Sequence, residues 1–143
     1  MSNFNDPAIL QQLTRIADAL ERQWPPKPDS SSFVDAEAYV WHSDTRALMP
    51  VTTVNRLALK LLLGIDEQRD LLMKNTISFA NKLPSNNALL WGARGTGKSS
   101  LVKSVHGAIL KIGLDCGLVE IHREDIADLP FLMSFLASID RQF

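Results

Sequence analysis

Apolar residues recur every three or four positions in several stretches of the chain, the pattern of helices with one covered face. In the first stretch Ile9, Leu10, Leu13, Ile16, Ala17 and Leu20 form the stripe, and Gln11, Gln12, Arg15, Asp18 and Glu21 cover the other side. Asp6 is placed to cap this helix, and Pro7 suits its first position. The run Pro25-Pro26-Lys27-Pro28-Asp29-Ser30-Ser31-Ser32 stops it and reads as a loop or linker. Two β-prone runs, Tyr39-Val40-Trp41 and Ala47-Leu48-Met49, flank Ser43-Asp44-Thr45-Arg46 and predict a hairpin with Pro50 at its edge. A second helical region runs from Leu57 to Leu63 and stops at Gly64; Asp66 then caps a longer helix to about Asn81, with Leu71, Leu72, Asn75, Phe79 and Leu83 on or near one face. Ala88-Leu89-Leu90-Trp91 is apolar without alternation, which predicts a strand covered on both faces, as in a parallel sheet between helices. A glycine-rich turn from Gly92 to Gly97 leads into a helix from Ser99 to about Ile112, with Leu101, Val102, Val105, Ile109 and Ile112 at helical spacing and Gly113 at its end. Leu118-Val119-Glu120-Ile121 reads as another strand, and Asp128 and Pro130 open a last helix carrying Leu132, Met133, Leu136 and Ile139. The central order of helix, strand, loop, helix, strand, helix is that of an α/β fold.

Composition narrows the function classes. With 143 residues, 45% of them apolar and 22% charged, the chain has the length and make-up of a globular domain. Fifteen basic against sixteen acidic residues give a net charge of −1, without the basic excess that gripping a nucleic-acid backbone requires. The single cysteine, Cys116, excludes an internal disulfide and a thiolate metal site and reads as a small buried apolar residue. The first seven residues lack the basic and apolar regions of a secretory signal, and no run approaches the length of a membrane span. The expectation is a cytoplasmic protein with neither membrane nor nucleic acid as partner.

One segment carries chemistry. Gly92-Ala93-Arg94-Gly95-Thr96-Gly97-Lys98-Ser99 satisfies G-x-x-x-x-G-K-[ST] at every fixed position, and average composition produces such a match by chance in about one chain in two hundred of this length. A loop that wraps a phosphate must turn its backbone N–H groups inward and let the oxygens come close, which glycine at 92, 95 and 97 permits. The loop feeds a helix N-terminus, whose unpaired N–H groups and positive dipole end favour anions. Lys98 brings a mobile charge to the β- and γ-phosphates, and Ser99 offers a hydroxyl to Mg²⁺. Ala93, Arg94 and Thr96 fill the variable positions, and Ser100 follows in the first helical turn. The apolar run before the loop and the amphipathic helix after it are the context the motif requires. A nucleoside triphosphate with Mg²⁺ is the expected ligand, with Lys98 in the catalytic role and Ser99 as the metal-facing residue; these residues leave the base, adenine or guanine, open, and the absence of a guanine-reading Asn-Lys-x-Asp run leans to ATP.

Leu63-Gly64-Ile65-Asp66-Glu67-Gln68, followed by a helix and then by Asn87-Ala88-Leu89-Leu90-Trp91 and the loop, resembles the opening of an AAA+ ATPase module. More narrowly, the chain is similar to a bacterial family of predicted ATPases catalogued as domain of unknown function 815, a likeness strengthened by the run from Val119 to Pro130. The resemblance spans about residues 51 to 143 and, more loosely, the hairpin. It implies two parts: residues 1–50, a helix, linker and hairpin extension, and 51–143, the N-terminal part of an AAA+-like ATP-binding domain. It also implies a P-loop parallel-sheet module, an adenine pocket along Leu63, Gly64 and Ile65, and ATP hydrolysis coupled to remodelling or assembly of a protein target, with a homo-oligomer in the full-length family member.

Hydrolysis also requires a carboxylate near the metal and a residue to orient water. In the family an acidic pair ends a later apolar strand, and by resemblance that strand begins near Arg141-Gln142-Phe143, where the sequence stops. Asp140 reads as a helical surface residue, and Glu124-Asp125 as a loop and cap. In the AAA+ arrangement the first two core strands are not neighbours, so both sets of ladder groups are expected to lack partners here. The expectation is therefore a truncated product that does not form the native sheet alone. Nucleotide binding without hydrolysis, an interaction module with a vestigial loop and a small P-loop kinase are the alternatives. His42, His106 and His122 share no ligand spacing and read as surface or packing residues, as Trp24, Trp41 and Trp91 read as core or edge residues, Trp91 within the strand.

Overall fold

In the computed structural model, which describes residues 7–23 and 36–143, the hairpin forms from the two β-prone runs. Strands β1 (Ala38–His42) and β2 (Ala47–Pro50) pair antiparallel, with Tyr39 opposite Pro50 and Trp41 opposite Leu48. The turn between them closes with Arg46 in the left-handed region at φ +48°. Strand β3 (Leu118–Ile121) lies parallel to β1, with Val119 opposite Tyr39 and Ile121 opposite Trp41. The result is a mixed three-stranded sheet of order β2-β1-β3. This corrects two expectations. The sheet is not all-parallel, and β3 has a ladder partner, because the hairpin supplies the strand its backbone requires.

Four helices accompany the sheet among the described residues: α1 (Pro7–Gln23), α2 (Asp66–Ala80), α3 (Lys98–Lys111) and α4 (Leu129–Leu136). The structure is thus α/β. In α1 the stripe through Leu10, Leu13, Ile16 and Leu20 is exposed. Its expected cap, Asp6, and the linker 25–32 lie outside the described residues. The helical region expected from Leu57 to Leu63 shortens to a single 3₁₀ turn, Leu59–Leu61. Helix α3 ends as its sequence predicts. Gly113, at φ +83°, donates its N–H to the Leu110 carbonyl while Leu114 N–H reaches Ile109, the paired bonds of a Schellman motif.

Two expected caps have other partners. The N-cap of α2 is Ile65, and the Asp66 carboxylate instead accepts from Arg69 at 2.6 Å. Asp128 makes no capping bond to α4; its carboxylate accepts from Trp41 Nε1 at 3.0 Å. Trp41 is fully buried, and an indole N–H sealed from water needs an acceptor.

The apolar residues gather into two clusters. The first joins Tyr39, Trp41 and Leu48 of the sheet to Leu132 and Ile139, with Phe131, Phe135 and Phe143 packed around them. Ile139 enters this core from beyond α4, which stops at Leu136, while Met133 is exposed. The second joins Leu101 and Val105 of α3 to Leu62, with Ile65, Leu72 and Leu90 alongside. Leu71 is turned outward.

Ala88-Leu89-Leu90-Trp91 is not a strand. It makes no ladder, and Leu89 and Trp91 are 87% and 88% exposed while Leu90 packs against the second cluster. A strand is held by its neighbour's hydrogen bonds, and neither β1 nor β3 lies beside this run.

Candidate functional site

The loop from Gly92 to Gly97 connects that extended run to α3. Its three glycines have φ of +140°, +84° and +82°, backbone that a side chain strains. Gly97 is the N-cap of α3 in the left-handed conformation, and Leu101 N–H is the first to bond back, to Gly97 O at 2.8 Å. The N–H groups of Lys98, Ser99 and Ser100 therefore have no intrahelical acceptor, and they sit at the positive end of a fourteen-residue helix.

Lys98 folds back over the loop. Its ammonium donates to Gly92 O at 2.9 Å, to Ala93 O at 2.6 Å and to Thr96 Oγ1 at 3.2 Å, and Thr96 Oγ1 donates to Ala93 O at 2.9 Å. Among the described residues Lys98 makes no ion pair. Neutral dipoles hold the ammonium in place and leave its charge uncompensated, so an incoming anion meets a full positive charge.

A cavity of about 420 Å³ opens beside the loop. Gly92, Thr96, Gly97 and Lys98 of the loop line it, together with the apolar Ile65, Leu90 and Leu101. The structure thus brings Ile65, sixty-odd residues into the chain, to the same hollow as Lys98. Gly64 lies beside it with φ +76°, turning the backbone into α2. Ala93, Arg94 and Gly95 form the exposed outer rim of the loop, and Ser100 is half-buried in the first turn of α3. Ser99 opens on a second hollow of about 220 Å³ shared with Lys103 and Glu120, whose side chains are ion-paired at 2.9 Å.

Three features were not visible as site residues in the sequence. Gln68 lines the main cavity, three residues after Ile65 and so on the same side of α2. Glu120 shares a hollow with Ser99 although the two lie on different elements. Asn75 clamps the segment leading to the loop: its amide donates to Asn86 O at 2.7 Å and accepts from Asn86 N–H at 2.8 Å. The first turn of α2 is pinned by Arg69 between Asp70 and Asp66, and the hydrogen bond to Asp70 is the main cause holding its guanidinium above the usual value.

No group of three or more His, Cys, Asp or Glu side chains that could hold a metal exists among the described residues. Nor is any helix among the described residues long and apolar enough to cross a membrane.

No curated protein and no solved structure matches the chain. A family model does, over residues 34–143, which include the hairpin, the loop and both clusters, and on that match the chain belongs to the family described as "Protein of unknown function (DUF815)".

Proposed function

We propose that the chain binds ATP with Mg²⁺ through residues 92 to 99. The observation that carries this reading is the loop itself: three positive-φ glycines lead into three helix N–H groups without intrahelical acceptors, and Gly92, Gly97 and Lys98, whose ammonium makes no ion pair among the described residues, line one cavity. The triphosphate takes the side of the cavity lined by the loop, where Thr96, Gly97 and Lys98 supply N–H groups and charge and Gly95 gives the rim its turn. Lys98 exchanges its loop carbonyls for phosphate oxygens, and the Ser99 hydroxyl serves the metal. The nucleoside takes the end walled by Ile65 and Leu90, with Gly64 giving the backbone its turn.

Magnesium supplies neutralisation of the phosphate charge when bound. Hydrolysis, and its use to remodel or assemble a protein target in an oligomer, is the wider reading that the AAA+ resemblance supports. Binding without turnover is the second reading, and Glu120 favours it. This carboxylate shares a hollow with Ser99 but is committed to Lys103. The test is titration of the chain with a fluorescent ATP analogue and Mg²⁺. The Lys98→Ala variant should bind at least about tenfold more weakly, the worth of one charged hydrogen bond. Equal binding by both proteins would remove the reading.

A further inference from the structure

We propose that Gln68 reads the base: its carboxamide pairs with the N6 amino group and N7 of adenine, and this sets a preference for ATP over GTP. The inference rests on the nucleotide reading of the loop and adds the residue that selects the base at the same site. Ile65, Gln68 and Leu72 follow one another at spacings of three and four, so they share one side of the first turns of α2. Ile65 and Leu72 pack on the cluster around Leu101 and Val105. Gln68, between them, lines the cavity that also holds Gly97 and Lys98.

Within that cavity Thr96 and Lys98 are bonded to the loop's own oxygens. The Gln68 amide makes no hydrogen bond among the described residues and is exposed to the hollow's solvent. The apolar walls suit the faces of a planar ring, and one amide at their edge suits its polar rim. An amide presents one acceptor beside one donor. Adenine offers the complement, an N6–H donor beside the N7 acceptor, whereas the same edge of guanine carries two acceptors, O6 and N7. The Gln68 carbonyl facing O6 is repelled, so the amide discriminates as well as binds.

The test is titration of the chain and of Gln68→Ala with Mg-ATP, Mg-GTP, the 7-deaza analogue of ATP and magnesium tripolyphosphate. The unaltered chain should favour ATP over GTP by about tenfold, in the range of one bidentate amide–base pair, and should bind the 7-deaza analogue more weakly than ATP. Gln68→Ala should bring ATP, GTP and the analogue to within about twofold of each other and leave tripolyphosphate binding unchanged. An ATP-to-GTP ratio that survives Gln68→Ala, with tripolyphosphate still bound, would overturn the base-reading role alone. Absence of tripolyphosphate binding by the unaltered chain would overturn the loop reading, and this inference with it.

Discussion

Gly97 shows how one residue serves both helix and site. It holds φ +82° at the N-cap of α3, and a β-carbon there would meet nothing within 4 Å. Gly97→Ala is therefore a conformational change only, expected to cost about 1–2 kcal/mol of stability. It should also weaken tripolyphosphate binding, because the strain relaxes by moving the loop's N–H groups; thermal melting and titration together read both effects. His106 makes a separate prediction, away from the site. It is buried on α3, its Nε2 facing Cys116 O at 2.8 Å and its Nδ1 facing Arg56 at 3.2 Å, while Arg56 pairs with Glu37 at 2.7 Å. Burial holds its pKa below the ordinary 6.5, Arg56 adds to the effect, and the Cys116 carbonyl and Glu37 oppose it. The unfolded chain then binds a proton that the folded chain does not, so stability should fall as the pH drops below about 6.5. Urea melts of His106→Gln should show a flatter dependence over that window. At this scale the turn of the glycine loop into α3 was legible, because the motif's spacing is local. The other duties of Asp66 and Asp128 were not, since a carboxylate near a helix start has more than one possible partner and the Trp41 indole lies 87 residues from Asp128.

Local pattern marked helices and strands alike, and β1, β2 and β3 formed where the sequence placed them. The periodic runs marked α1, α2 and α3 to within a few residues, because their hydrogen bonds close within the element. The run 88–91 has the composition of a buried strand and is none, while β3, of similar composition, pairs with a hairpin strand some eighty residues earlier. Pairing partners are non-local, and no pattern within a four-residue run encodes them. What holds 88–91 near the site instead is Leu90 in the second cluster and the Asn75 clamp on Asn86. Asn75→Ala should lower stability by about 1 kcal/mol. It should also weaken nucleotide binding, because the clamp ties the run before the loop to the helix that carries Ile65. A variant with the stability loss but unchanged nucleotide affinity would show that Leu90 alone sets the position.

In the whole molecule the hairpin is the middle and edge of the sheet, and its side chains make much of the first core. Tyr39, Trp41 and Leu48 meet Leu132 and Ile139 there, and Arg141 adds bonds to Ala36 O at 2.9 Å and Asp115 at 2.7 Å. Trp41→Ala should therefore cost about 3–5 kcal/mol, enough to unfold a marginal domain in a urea melt. The second cluster, by contrast, sets the site: it fixes α2 against α3, and so Ile65 and Gln68 against the loop. The central claim is that backbone N–H groups between Gly92 and Ser100 receive the oxygens of a polyphosphate. The most direct measurement is the amide ¹H–¹⁵N spectrum of the chain during titration with magnesium tripolyphosphate. Saturable shifts concentrated at residues 92 to 100, and lost in Lys98→Ala, are the predicted result. A spectrum in which those amides stay still while tripolyphosphate moves others, or moves none, would contradict it.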